Sequence, residues 1–244
     1  MLPRLLLLLI CLVALCPVLS AQTTGYRMEK IVSRKMTIDE NSIIYDKETG
    51  RKLPFDEMVS LLNQPPRIYT LVTEIDETGK PAFYVLRKRT KEELEAGHPF
   101  LANDHKKPEI GQPVLPFVMQ GADGKTYRSD KLKGKYVLLS FWNKLENPYL
   151  GVNQTEEINA LLDKAKEKKV KLVSLGTSLA TQEECLKAMK EMNLGFVPIP
   201  ESTGFKNRYG MFRTPSYLLI GPEGTLLAIV ERESVLVLEE YLKK

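Results

Sequence analysis

Cysteine and histidine are scarce in this sequence of 244 residues, which holds three cysteines and two histidines. Cys11 and Cys16 lie in an N-terminal apolar segment that we predict to be cleaved, which leaves Cys185 as the only cysteine of the mature chain. A single cysteine cannot form an internal disulfide, a Cys-x-x-Cys couple or a cysteine-cluster metal site. His98 and His105 have no further metal ligands at suitable spacing, so we expect neither a metal ion nor another cofactor.

A strong excess of positive charge is also lacking, because the formal net charge is +4. Arg4 is the only charged residue in residues 1–21, so 34 basic residues face 31 acidic ones in the remainder. Nucleic-acid binding requires clustered positive charge, whereas the basic runs here are interleaved with acidic residues or stand at segment ends. We therefore expect no nucleic-acid partner.

The N-terminus has the order of a secretory signal peptide. Arg4 precedes an apolar run over residues 5–15, and the small residues Ser20 and Ala21 follow. We predict cleavage after Ala21, which exports the chain across the inner membrane to the periplasm, the cell envelope or the exterior. The run is shorter than the roughly 20 residues of a membrane span. An alternative is a lipoprotein acylated at Cys16.

Residues 22–107 form a polar N-terminal region that is set apart by its pattern. We predict a short amphipathic helix over residues 55–62 and a hairpin of two strands over 67–75 and 81–87. Residues 92–108, rich in glycine, proline and asparagine, indicate a linker. A helix and a hairpin are too small for an independent core, so we expect this α+β region to pack on the following domain.

Residues 108–244 alternate strand and helix signals. The mostly apolar run over residues 136–142 predicts a central strand that is buried on both faces. Further strands are predicted over 170–175, 217–220 and 226–230, and helices over 154–168, after the capping box at 181–184, and over 235–243. This order, β-α-β-α-β-β-α, predicts an α/β domain with a mixed sheet between helices.

Several motifs occur in the order that is typical of one known family. They are residues 110–117 (IGQPVLPF), 123–125 (DGK), 132–135 (LKGK), 137–142 (VLLSFW), 213–220 (RTPSYLLI) and 223–224 (EG). Over about residues 109–244 the chain resembles the TlpA/ResA branch of the thioredoxin superfamily, which is close to the peroxiredoxin-type redoxins. Members of this family are envelope thiol–disulfide oxidoreductases, and the resemblance implies a thioredoxin-like fold for this domain.

In that family a Cys-x-x-Cys pair opens the helix after the central strand, and Glu146 and Tyr149 stand at the matching positions, with Pro148 retained. The first cysteine must attack as a thiolate and the second must resolve the mixed disulfide. A carboxylate and a phenol can do neither, so we expect no catalysis by this route. Glu146 is either a general base or, as we favour, an acid near a helix N-terminus, and Tyr149 fills the vacated space.

The resemblance also implies a cis peptide bond before Pro215, with the backbone of Thr214 bordering a groove for an extended peptide. Trp142 and Tyr149 would be its apolar wall, and Glu146 would favour basic residues in the peptide. The alternative is that the proline is kept only because the fold requires it.

We therefore predict a non-catalytic module that binds a protein or an extended peptide. One alternative is a thiol oxidoreductase that acts through Cys185, although free cysteines are more often buried. Another is a structural subunit whose groove is plugged by residues 22–107. The partner and the oligomeric state do not follow from the sequence.

Overall fold

The computed structural model describes residues 38–97, 101–102 and 104–243. The predicted signal peptide, with Cys11 and Cys16, and the residue His98 lie outside the described residues. The described residues belong to one compact unit. No helix in the described ranges has the length and apolarity to cross a bilayer.

The N-terminal region is a small α+β layer. Its elements are β1 (Ile44–Asp46), α1 (Phe55–Asn63), β2 (Tyr69–Ile75), β3 (Pro81–Lys88), α2 (Lys91–Ala96) and β4 (Leu101–Ala102). The strands form one sheet in the order β1-β3-β2-β4, on which α1 buries Met58 and Leu62. The predicted helix and hairpin are confirmed.

The prediction that residues 92–108 form only a linker is wrong, because α2 and β4 occupy part of it. Thr90 caps α2 through a reciprocal pair of hydrogen bonds with Glu93. The Glu93 carboxylate also accepts from Nη1 and Nη2 of Arg87 on β3, and Asp104 accepts from Nε and from the same Nη2. Buried arginine is stabilised by such bidentate partners. A long-range ion cluster therefore orders this segment.

The second region contains the larger sheet. Its elements are β5 (Val118–Gln120), β6 (Thr126–Arg128), a 3₁₀ turn (Ser129–Lys131), β7 (Tyr136–Phe141), α3 (Val152–Glu167), β8 (Leu172–Thr177), α4 (Gln182–Glu191), β9 (Val197–Ile199), α5 (Gly204–Arg208), β10 (Ser216–Ile220), β11 (Leu226–Glu231) and a 3₁₀ helix (Val235–Tyr241). The strand order is β11-β10-β7-β8-β9, in which β7, β8 and β9 are parallel and β10 and β11 antiparallel. The predicted α/β class with a mixed sheet is confirmed.

Helices cover both faces of this sheet because its central strands are apolar on both sides. Leu138 and Leu219 pack under α3, α4 and the 3₁₀ helix. Val137, Leu139 and Phe141 face the opposite core, which includes α5. Central β7 is consequently buried along its whole length, and its carboxyl end is held in place from both sides.

The N-terminal region packs on the second region at α5, as expected. The N–H of Val118 donates to the carbonyl of Glu77 over 2.6 Å. Gly79, at the hairpin turn, lies against Phe205, and a methyl group built on Gly204 would lie 1.8 Å from the carbonyl oxygen of Gly79. Only glycine permits this close approach of two backbones.

Candidate functional site: the carboxyl end of the central strand

The candidate site is built around Asn143, which directly follows the buried strand β7. Strand β10 runs antiparallel to β7 with Ser216 opposite Phe141. Continuing that register places Thr214 level with Asn143. The carbonyl of Asn143 accepts a hydrogen bond of 3.1 Å from the N–H of Leu179, in the loop after β8. Three loops therefore meet at Asn143.

Glu146 and Tyr149 lie in a turn and not at the start of a helix. The N–H of Tyr149 donates to the carbonyl of Glu146 over 2.9 Å. Helix α3 begins later, at Val152, with Gly151 as its N-cap. The expectation that these two positions open the helix is wrong, because residues 143–151 form a separate loop between strand and helix. A helix dipole acts most strongly within the first turn of its helix, and Glu146 lies before that turn.

The carboxylate of Glu146 is exposed and has a cationic neighbour. Its Oε1 lies 3.3 Å from Nζ of Lys144, and 65% of the Glu146 side chain is accessible to solvent. The same ammonium lies 5.6 Å from the centroid of the Tyr149 ring. Tyr149 is 43% exposed. Glu146 therefore contributes little net negative charge to the surface.

Trp142 does not line a groove, contrary to the expectation. Its side chain is fully buried, stacks on Phe196 and meets Tyr217 edge-on. Its indole N–H donates to Oγ of Ser140 over 2.8 Å. A buried tryptophan needs such a partner for its N–H. Trp142 is a core residue, and the adjacent Asn143 is the first residue of the chain there to reach the surface.

The Thr214–Pro215 peptide bond is cis, as the resemblance implies, and both residues are half-buried. In the segment before it, Phe212 is 55% exposed and Arg213 is also exposed. Within the described part of the chain, the backbone groups of residues 212–214 have no hydrogen-bond partner. This segment therefore presents free donors and acceptors beside an exposed aromatic ring.

Lys206, on α5, is a site residue that the sequence analysis missed. Its side chain reaches the side-chain oxygen of Asn143, and the residue is only 9% exposed. Desolvation lowers the pKa of the Lys206 ammonium to about 8. The residue stands between Phe205 and Asn207, in a short segment that follows a run without helical periodicity. Nothing in that local pattern distinguishes it from an exposed lysine.

Cys185 is a core residue and does not contribute to this surface. Its side chain is fully buried, and Sγ lies 4.0 Å from Oγ of Ser178 and 3.9 Å from the carbonyl oxygen of Ala180. Burial raises the pKa of the Cys185 thiol to about 11. A thiol is a nucleophile only as the thiolate. This geometry favours the core role over the reactive one.

The surface around Asn143 combines apolar side chains with polar groups. Exposed apolar side chains of Tyr149, Leu179 and Phe212 belong to the loops that meet there. In the described ranges, no group of three histidine, cysteine, aspartate or glutamate side chains is placed to hold a metal ion. The groups that this surface offers to a ligand are apolar side chains, free backbone groups and the amine of Lys206.

Fold and site together define a thioredoxin-like α/β domain. The family model described as AhpC/TSA family matches residues 110–229. The chain is 30% identical to the proteins named thiol-disulfide oxidoreductase ResA of Bacillus thuringiensis (strain Al Hakam) and Bacillus anthracis, over 149 residues that cover 58% of this chain and 81% of each relative. The chain belongs to the TlpA/ResA-type redoxins.

Solved structures with a similar fold include the thioredoxin domain of a thiol-disulfide oxidoreductase from Bacteroides vulgatus. Its TM-score is 0.47 at 19% identity, covering 55% of this chain and 99% of that one. A thiol-disulfide oxidoreductase from Bacteroides fragilis NCTC 9343 has a TM-score of 0.45 at 22% identity, covering 54% and 99% of the two chains.

Proposed function

We propose that this chain is an exported, non-catalytic member of its family, which binds an extended segment of a partner protein along residues 212–214. The observation that carries the proposal is the unpaired backbone of these residues beside the exposed ring of Phe212. An extended peptide can pair with free backbone groups as an added strand, and apolar pockets then give specificity. Tyr149 and Leu179 supply further exposed apolar area at the same junction.

The absence of catalysis rests on the cysteines. Glu146 and Tyr149 occupy the positions that the family resemblance assigns to the redox pair, and neither side chain can form a disulfide. The alternative of an oxidoreductase acting through Cys185 requires a thiolate, and burial opposes one at that position. We therefore propose that the chain has no thiol–disulfide exchange activity.

The alternative of a structural subunit requires the N-terminal region to plug the groove. Its described residues contact Phe205 through Gly79 and approach Gly210 with the backbone of residues 105–107, and the guanidinium of Arg208 donates to the carbonyl of Ile75. Phe212 and Arg213 keep their exposure. The binding role is thus favoured over the plugged one.

The proposed location is the periplasm, the cell envelope or the exterior. It rests on the signal-peptide pattern of residues 1–21 and on the family membership. The same proposal divides the chain into a signal peptide (residues 1–21), an N-terminal region with its linker (22–107) and a thioredoxin-like domain (108–244).

The test is affinity capture from envelope extract with three baits: the parent chain, Phe212→Ser and the control Val237→Ser. Val237 is similarly exposed, at 48%, but lies on the 3₁₀ helix over residues 235–241. We expect a protein that the parent and the control retain and that Phe212→Ser loses. Retention by all three baits would place the contact elsewhere and refute the groove.

A further inference from the structure

The amine of Lys206 is a buried cation that faces a neutral partner. Its hydrogen bond goes to the amide oxygen of Asn143. Among the described residues, no carboxylate lies within ion-pair distance of Lys206, whereas other cations of the chain, such as Arg87 and Lys107, have acidic partners. Burying a charge without a counter-charge is costly, and here the cost appears as the lowered pKa of the amine.

A carboxylate would be a better partner for this amine than an amide. The ammonium has three donors, of which Asn143 uses one. A carboxylate also brings an opposite charge, and the attraction between two opposite charges is stronger in a desolvated site than in water. A carboxylate that replaced the Asn143 side chain would compensate the desolvation that now acts on Lys206. Asn143 is half-buried, and its side-chain oxygen accepts a hydrogen bond from the amine.

The position of this pair ties it to the proposed groove. Asn143 is level with Thr214 in the β7–β10 register, and its carbonyl binds the N–H of Leu179. A peptide lying along residues 212–214 would therefore pass over Asn143. The local charge also favours an acidic segment, because Arg213 is exposed and the carboxylate of Glu146 is offset by Lys144.

We propose that Lys206 forms a carboxylate-binding subsite in the floor of the groove, which selects a partner segment carrying an aspartate or glutamate side chain. Without the partner, the amide of Asn143 binds the amine of Lys206 in place of that carboxylate. The inference rests on the proposed groove and adds the chemistry of its ligand. It reverses the expectation that Glu146 favours basic residues.

The experiment measures binding of three capped peptides, Ala-Leu-Xaa-Leu-Ala with Xaa as Glu, Gln or Lys, by calorimetry with the full chain. Capping both ends leaves the central side chain as the only carboxylate. The variants are Lys206→Met, Asn143→Asp and the control Lys187→Met, which removes an exposed lysine from α4. A titration of the Lys206 amine by NMR, with and without the Glu peptide, accompanies the calorimetry.

We expect the parent and Lys187→Met to bind the Glu peptide at least tenfold more tightly than the Gln peptide. Lys206→Met should lose this preference, and Asn143→Asp should lose it as well, because its own carboxylate occupies the subsite. The Glu peptide should raise the pKa of the Lys206 amine, a change that a merely structural lysine would not show. Asn143→Asp retains the amine and gives it a charged partner, so it keeps the test valid if Lys206→Met does not fold.

Equal affinity for the three peptides, or tighter binding of the Lys peptide, would overturn the subsite. If such binding still disappeared in Phe212→Ser, the groove would stand and only its acidic selectivity would fall. Failure of all three peptides to bind would also overturn the subsite, and the capture experiment would then decide separately on the groove.

Discussion

Installing cysteines at positions 146 and 149 tests whether this turn occupies the place of the family's redox loop. The N–H of Tyr149 donates to the carbonyl of Glu146, and residues related by such a turn have Cα atoms less than about 7 Å apart. A disulfide requires a Cα separation of about 4.4–6.8 Å. The double variant Glu146→Cys, Tyr149→Cys should therefore oxidise to an intramolecular disulfide.

The size of the effect follows from the short loop that the disulfide closes. A loop of four residues gives a loss of chain entropy in the unfolded state that is worth about 2 kcal/mol at 25 °C. For a chain of this size the corresponding rise in Tm is roughly 4–8 °C. Both replaced side chains are exposed, so the rise should appear with little offset.

The assay combines thermal unfolding, with and without dithiothreitol, and thiol counting in denaturant. The reduced double variant should show two more thiols than the parent, and the oxidised one should show none more. The single variants Glu146→Cys and Tyr149→Cys are the controls and should keep their extra thiol. If the oxidised double variant kept two additional thiols, or formed only dimers, the turn geometry would be wrong.

The same proteins test redox silence. The parent should reduce insulin with dithiothreitol no faster than the reductant alone, because no thiolate is available at the site, and the reduced double variant should exceed this background. Parent turnover that persisted in Cys185→Ser would refute the claim that the chain lacks a redox function.

Three further predictions concern packing and ionisation. Gly204→Ala should lower the free energy of unfolding in urea by about 1–3 kcal/mol, because its methyl group meets the backbone of Gly79. The control Gly221→Ala, whose methyl group meets a flexible side chain, should lower it by less. Equal losses in the two variants would contradict this prediction. Cys185 should resist labelling by a thiol reagent at pH 8 in the native state and react on unfolding, as peptide mapping would show; native labelling at full stoichiometry would contradict its burial. The pKa of Lys206 falls to about 8 on folding from an ordinary 10.5, so the unfolded chain binds more protons between these values and stability should rise with pH across that window. Lys206→Met should lack this rise, and an unchanged pH slope would refute the assignment.

Much of the fold was predictable because its signals are local. The apolar run that forms β7 and the capping box at Thr181 depend on neighbouring residues alone, and both elements form where they are predicted. Helix α2 was missed although Thr90 and Glu93 have the spacing of a capping box. Strand β9, with three residues around Pro198, is too short to produce an alternating pattern.

The sequence by itself determined that Glu146 and Tyr149, and not two cysteines, stand at the positions that the family resemblance assigns to the redox pair. Only the tertiary structure decided which neighbouring residues are core and which are surface. Trp142 turns into the core and Asn143 turns out of it, because the packing of Phe196 and Tyr217 captures the indole. Lys206 and Asn143 are 63 positions apart in the chain. They meet because β10 pairs with β7 and α5 packs on the same sheet, and no local pattern encodes that arrangement.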